Sequence, residues 1–78
     1  MSKQALVPIA DGTEEIEAVT IIDLLRRAGV EVTVACVSEQ TTLQITASRG
    51  TYLVADSAIE NCSEKSWDLI ALPGGVAG

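Results

Sequence analysis

Seventy-eight residues carry eleven acids against five bases, a net charge of −6, two cysteines and no histidine. A chain of that length buries only ~60% of its unfolded surface, which allows one small domain at most, and without imidazole it has no His-based triad and no His-ligated zinc site. The acidic balance, with Arg26-Arg27 the only adjacent bases, argues against a nucleic-acid surface, and no apolar run approaches the ~18 residues of a membrane span.

Ala5 to Ala10 is a short apolar run closed by Asp11-Gly12, which predicts a buried first strand, with Pro8 near its end as the residue that argues against it. The polar turn Asp11-Gly12-Thr13 leads into a helix over Glu14–Ala28, with Asp11 or Thr13 as N-cap and Asp11 with Glu14 resembling a capping box. Gly29 is placed to end that helix in a left-handed conformation. Ile16, Val19 and Ile22, with Ala18, Ile21 and Leu25, give the helix two apolar stripes where packing on one sheet face needs one. The second stripe implies cover from another element or another subunit.

Val30 to Val37 is β-branched throughout most of its length and reads as the clearest strand. Strand, helix, strand in this order predicts a βαβ unit with parallel strands. Leu43–Thr46 and Thr51–Val54 flank Ala47-Ser48-Arg49-Gly50 as a small hairpin. Asp56 to Ser66 is polar and irregular, with one helical turn near Ile59. Trp67 to Leu72 reads as a third core strand, stopped by Pro73-Gly74-Gly75. Cys36 alternates with Val34 and is read as a core thiol, whereas Cys62 falls in a polar stretch open to oxidation. The two thiols match no disulfide framework or metal spacing, and no secretory cleavage pattern precedes the first strand. A reducing, cytoplasmic compartment is therefore expected. Three strands and one helix leave most of a sheet face uncovered, so residues 1–78 are expected to be the N-terminal segment of a single α/β domain whose remainder lies elsewhere.

One side chain is out of place in this scheme. Glu17 heads the row Glu17, Ile21, Leu24, Ala28, so a carboxyl group shares a line with apolar side chains. Glu14 and Glu15 suit the helix dipole in the first turn, but Glu17 lies deeper. Such a carboxyl reaches solvent, finds a partner, or keeps its proton. Gly74-Gly75 is either a tight turn or a close backbone approach to a ligand. Arg49 is either a solvated charge or a pocket residue, and Glu14 and Asp23 are either solvated acids or partners across a two-fold axis.

Glu14-Glu15-Ile16-Glu17 after a first strand, Ser48-Arg49-Gly50 in a hairpin and Leu72-Pro73-Gly74-Gly75 after a later strand occur in that order. Together with the Ala-Leu-Val start and the Asp-Leu-Leu-Arg-Arg helix end, they resemble the ThiJ/PfpI superfamily, in the branch of the Parkinsonism-associated deglycase and bacterial ThiJ-like proteins. The resemblance spans essentially the whole chain. It implies a flavodoxin-like, Rossmann-like α/β sandwich with a mostly parallel sheet, incomplete in this chain, and a homodimer formed through the first helix. It also implies a reactive cysteine on a strand-to-helix elbow outside residues 1–78, so that neither Cys36 nor Cys62 is the nucleophile and these residues alone are not an enzyme. Glu17 matches the glutamate that hydrogen-bonds that cysteine. Gly74 and Gly75 match the glycines whose N–H groups lie beside it, and Arg49 falls near the pocket mouth or dimer contact. The implied activity is glyoxalase or deglycase chemistry on small carbonyls, without metal or organic cofactor. A redox-responsive chaperone is the rival, and a cysteine peptidase or amidase a third option.

Overall fold

The computed structural model describes residues 2–75. In chain order the elements are β1 (Gln4–Ile9), α1 (Glu15–Arg27), β2 (Glu31–Cys36), β3 (Gln44–Thr46), β4 (Tyr52–Val54), β5 (Ser57–Ala58), a 3-10 turn (Ile59–Cys62) and β6 (Leu69–Ile70). Four strands form one parallel sheet in the order β5-β2-β1-β6. β3 and β4 pair antiparallel as a separate hairpin. The βαβ unit and the hairpin are where the sequence pattern predicts them.

Alternation along the central strands splits the core between the two sheet faces. Val7 and Ile9 of β1, with Val34 and Cys36 of β2, pack with Ala18 of α1 and with Ile45, Ala47 and Ala55 around the hairpin. Leu6 and Ala35 point the other way and pack with Cys62, Ile59 and Trp67. Cys62 is therefore buried in a core rather than open in a polar loop, and its thiol lies 3.6 Å from the Ala58 carbonyl. Cys36 is buried as its alternation predicts.

Pro8 fits for a reason of register. The carbonyls of Lys3 and Ile9 accept from Glu31 and Val37, whereas those of Gln4 and Leu6 accept from Asp68 and Ala71. Even-numbered residues thus address β6, and Pro8 is the next even residue. Its absent N–H faces the stretch past Ile70, where β6 has ended, so no ladder bond is lost.

Three further expectations are corrected. The N-cap of α1 is Glu14, whose carboxylate accepts from the N–H groups of Ile16 and Glu17 at 3.1 Å each. Asp11 is instead engaged by the hairpin, accepting from Thr46 N–H at 2.8 Å, and Thr13 Oγ1 accepts from Ala10 N–H at 2.9 Å. The third strand pairs only at Leu69 and Ile70, which are 46% and 54% exposed because β6 is a sheet edge. Trp67 belongs to the core under the other sheet face, its indole N–H donating to the Cys62 carbonyl. Ser57–Ala58, within the stretch read as irregular, extends the sheet beside β2.

α1 ends as expected, with Gly29 at φ +84°. Ala18 is its one buried residue, with Ile21, Ile22 and Leu25 partly buried against the sheet. Ile16, Val19 and Leu24 are at least half exposed, so the second apolar stripe is uncovered among the described residues.

Candidate active site

The chain passes from β1 through α1 to β2, adds β5 beyond β2, and then returns to the far side of β1 as β6. Strand order therefore reverses between β1 and β6. The loops leaving the carboxyl ends of two such strands border a crevice, and open α/β sheets hold ligands there. Here those loops are Ala10–Glu14, after β1, and Ala71–Gly75, after β6.

The two loops are joined. Glu14 N–H donates to the Gly74 carbonyl at 2.8 Å, and Thr13 and Gly75 form an isolated antiparallel bridge. Gly74 N–H donates to Glu17 Oε1 at 2.9 Å, across 57 positions of sequence. Glu17 thus finds a partner, one of the three outcomes open to it from sequence. The row it heads is not buried in this chain, since Glu17, Leu24 and Ala28 are all exposed. α1 turns Ala18, Ile21, Ile22 and Leu25 to the sheet and leaves Glu17 on its flank, facing the glycine turn.

Both glycines are close-approach positions. A Cβ built on Gly74 would lie 2.9 Å from Glu17 Oε1 and 3.3 Å from Oε2. One built on Gly75 would collide with the Gly12 carbonyl and lie 2.9 Å from Thr13 Cα. The Gly74 amide is directed at Glu17, which leaves Gly75 N–H as the amide of the pair that Glu17 does not engage.

Hairpin β3–β4 closes the opposite side of the Asp11–Glu17 segment. Gly12 N–H donates to the Thr46 carbonyl at 2.9 Å and Ser48 N–H to the Thr13 carbonyl at 2.8 Å. Glu15 accepts from Ser48 Oγ at 2.9 Å and from Arg49 N–H at 3.1 and 3.2 Å. Its carboxyl is lowered from the usual 4.5 to about 2, chiefly by its own backbone N–H against a smaller desolvation cost, then by the Ser48 and Thr51 hydroxyls and Arg49 N–H. Periodicity marks Glu15 only as a first-turn acid and misses this role. Its spacing held the signal: residues two apart on a helix project about 200° apart, so Glu15 and Glu17 cannot serve the same side.

The remaining candidates have partners within the chain or lie apart. Glu14 is the helix cap. Asp23 Oδ2 accepts from Arg27 Nε at 2.9 Å, an exposed i,i+4 pair. Arg49 is exposed at the hairpin tip, anchored through its backbone. Burial pushes the Cys36 thiol up, with Asp11 and Glu60 adding to the effect, which disfavours the thiolate a nucleophile needs. Among the described residues no cluster of three His, Cys, Asp or Glu could hold a metal ion, and no helix is long and apolar enough to cross a membrane.

A mostly parallel open α/β sheet with an acid and a glycine turn meeting at its strand-order reversal defines a flavodoxin-like protein. More narrowly, the chain belongs to the DJ-1/PfpI family, whose model matches residues 3–78. It is 52% identical over 75 residues to protein DJ-1 homolog B of Arabidopsis thaliana, covering 96% of this chain and 17% of that protein. At greater distance it is 34% identical over 74 residues to the glutathione-independent glyoxalase DJR-1.2 of Caenorhabditis elegans, covering 94% of this chain and 38% of that one. The solved structure of oxidized Toxoplasma gondii DJ-1 superposes with a TM-score of 0.91 at 48% identity, over 96% of this chain and 40% of that chain. The chain thus spans well under half the length of each of these relatives.

Proposed function

We propose that residues 1–78 are the N-terminal segment of a cysteine-dependent enzyme that acts on small reactive carbonyls, with glyoxalase or deglycase-type hydrolytic chemistry. The observation that carries this reading is the hydrogen bond from Gly74 N–H to Glu17 Oε1. It holds the carboxyl at the strand-order reversal with Oε1 occupied as an acceptor, which leaves Oε2 as the oxygen to exchange a proton with a reacting group in this reading. The Caenorhabditis elegans relative, described as a glyoxalase, supports the substrate class.

In this reading the nucleophile is a cysteine from the remainder of the protein, since Cys36 and Cys62 are core residues. Its thiolate attacks the aldehyde carbon of methylglyoxal, and Glu17 supplies the proton to the resulting oxygen, forming a hemithioacetal. A proton moved from that carbon to the neighbouring one, with Glu17 as shuttle, gives a thioester. Water cleaves the thioester to lactate and frees the thiol, so the sum is methylglyoxal plus water to lactic acid. In this reading Gly75 N–H, the amide that Glu17 does not engage, stabilises developing oxyanion charge. No cofactor enters these steps. The exposed α1 stripe supports a homodimer formed through this helix, and a cytoplasmic location accompanies the reading.

The test is lactate formation from methylglyoxal by the complete protein. Turnover that is lost on Glu17→Gln and on replacement of the reactive cysteine supports the enzyme. The rival, a redox-responsive chaperone, draws on the oxidized state in which the Toxoplasma gondii relative was solved. Absence of turnover with peroxide-dependent suppression of client aggregation would favour it.

A further inference from the structure

Glu15 and Glu17 leave the first turn of α1 on opposite sides, and each grips a different loop. Glu15 holds the hairpin tip through Ser48 Oγ and Arg49 N–H, and Glu17 holds the glycine turn through Gly74 N–H. Between them lies one peptide unit, Thr13–Glu14. Its carbonyl accepts from Ser48 N–H at 2.8 Å, and its N–H donates to the Gly74 carbonyl at 2.8 Å. A peptide unit is planar and stiff, so a shift of Ser48 at one edge is passed to Gly74 at the other. Gly74 in turn orients Glu17, and the circuit closes on the helix that carries both acids.

We infer that Glu15 is a positioning residue for this site, pinning the Ser48–Arg49 tip so that the Thr13–Glu14 peptide holds Gly74 against Glu17. The inference rests on the proposed role of Glu17 and adds a residue that does not touch substrate. The hairpin cannot hold its own tip as firmly, because β3 and β4 contribute only three residues each. The carboxylate of Glu15 stays ionised throughout the neutral range, so the pin holds under working conditions. Glu15→Ala releases the tip, and misplacement of reacting groups by about 1 Å costs on the order of 10²-fold in rate.

The experiment combines steady-state kinetics with methylglyoxal and amide hydrogen exchange, both on the complete protein. Glu15→Ala is expected to lower kcat about 10–100-fold with KM nearly unchanged, and to speed exchange at Arg49 and Gly74 together. Glu15→Gln keeps an acceptor of the same reach and is expected to restore most of kcat. Adding Ser48→Ala to Glu15→Ala is expected to do no further harm, because both cut one link. A Glu15→Ala protein with fast exchange at Arg49 but wild-type kcat and wild-type exchange at Gly74 would overturn the inference. If Glu15→Ala fails to fold, Ser48→Ala carries the same comparison. Wild-type protein without turnover would refute the proposed function, and exchange at Gly74 would then decide the positioning role alone.

Discussion

Glu17 stands out in the sequence because a carboxyl sits on an apolar helical row, yet of that row only Ile21 packs on the core, and Glu17, Leu24 and Ala28 are exposed. What singles the residue out physically is the amide it meets, and that amide lies too far along the chain for any local pattern to reveal. The two glycines that follow β6 separate cleanly by what surrounds them. Gly74→Ala drives a Cβ into the end of the Glu17 side chain, which can swing away. The variant is expected to fold near wild-type stability and to lose turnover, as measured by thermal melting beside lactate formation. Gly75→Ala meets the backbone of Gly12 and Thr13, which cannot yield so cheaply, and is expected to cost about 1–3 kcal/mol in a denaturant titration. Glu15 makes a pH prediction. Its carboxyl is lowered from 4.5 to about 2, so the folded protein binds fewer protons there than the unfolded chain between those limits. Its stabilisation is present above about pH 4.5 and is lost as pH falls toward 2. The difference in melting temperature between wild type and Glu15→Gln is expected to shrink over that window, and a difference constant down to pH 2 would contradict the assignment.

Strand and helix periodicity carry far enough to place β1, α1, β2 and the hairpin, because each is long enough or bounded sharply enough to show its period. β5 and the true extent of β6 escape for a shared reason. Each pairs over two residues, and each is started by an aspartate that substitutes for ladder geometry. Asp68 Oδ2 accepts from Gln4 N–H at 2.8 Å while Asp68 N–H donates to the Gln4 carbonyl at 2.8 Å. Asp56 repeats the device on Val34, at 2.9 and 2.8 Å. Asp56, in a polar stretch, reads as a turn residue, so β5 stays hidden, whereas Asp68 stands inside the apolar run 67–72 and reads as part of the strand, so β6 is drawn too long. Asp68→Ala is expected to cost about 1 kcal/mol and to speed amide exchange at Gln4, while Asp68→Asn, which keeps an acceptor oxygen, is expected to lose less. The N-cap escapes for the same kind of reason. Glu14 serves through a long side chain, whereas cap statistics favour the short polar residues Asp11 and Thr13.

At the scale of the molecule, the reversal of strand order between β1 and β6 is what brings Glu17 and Gly74 into contact. A strand added on the β2 side of β1 would have carried the glycine turn away from α1. That placement follows from topology, which a motif order can suggest only through family resemblance. Edge strand β6, Leu72 just beyond it at 75% exposure and the outer stripe of α1, with Ile16 at 73%, leave apolar side chains uncovered among the described residues. The central claim is that Glu17 is the donor half of a pair whose other half is a cysteine thiolate. Gly74 N–H demands an acceptor, so in Glu17→Gln the amide oxygen is expected to turn toward Gly74 and the NH2 group outward. That variant should keep the thiol acidic while losing the proton shuttle, whereas Glu17→Ala should lose both. The direct measurement is a pH titration of the reactive thiol in the complete protein. The thiol pKa is expected to rise by about one unit or more in Glu17→Ala and to stay close to wild type in Glu17→Gln; an unchanged value in Glu17→Ala would contradict the pairing.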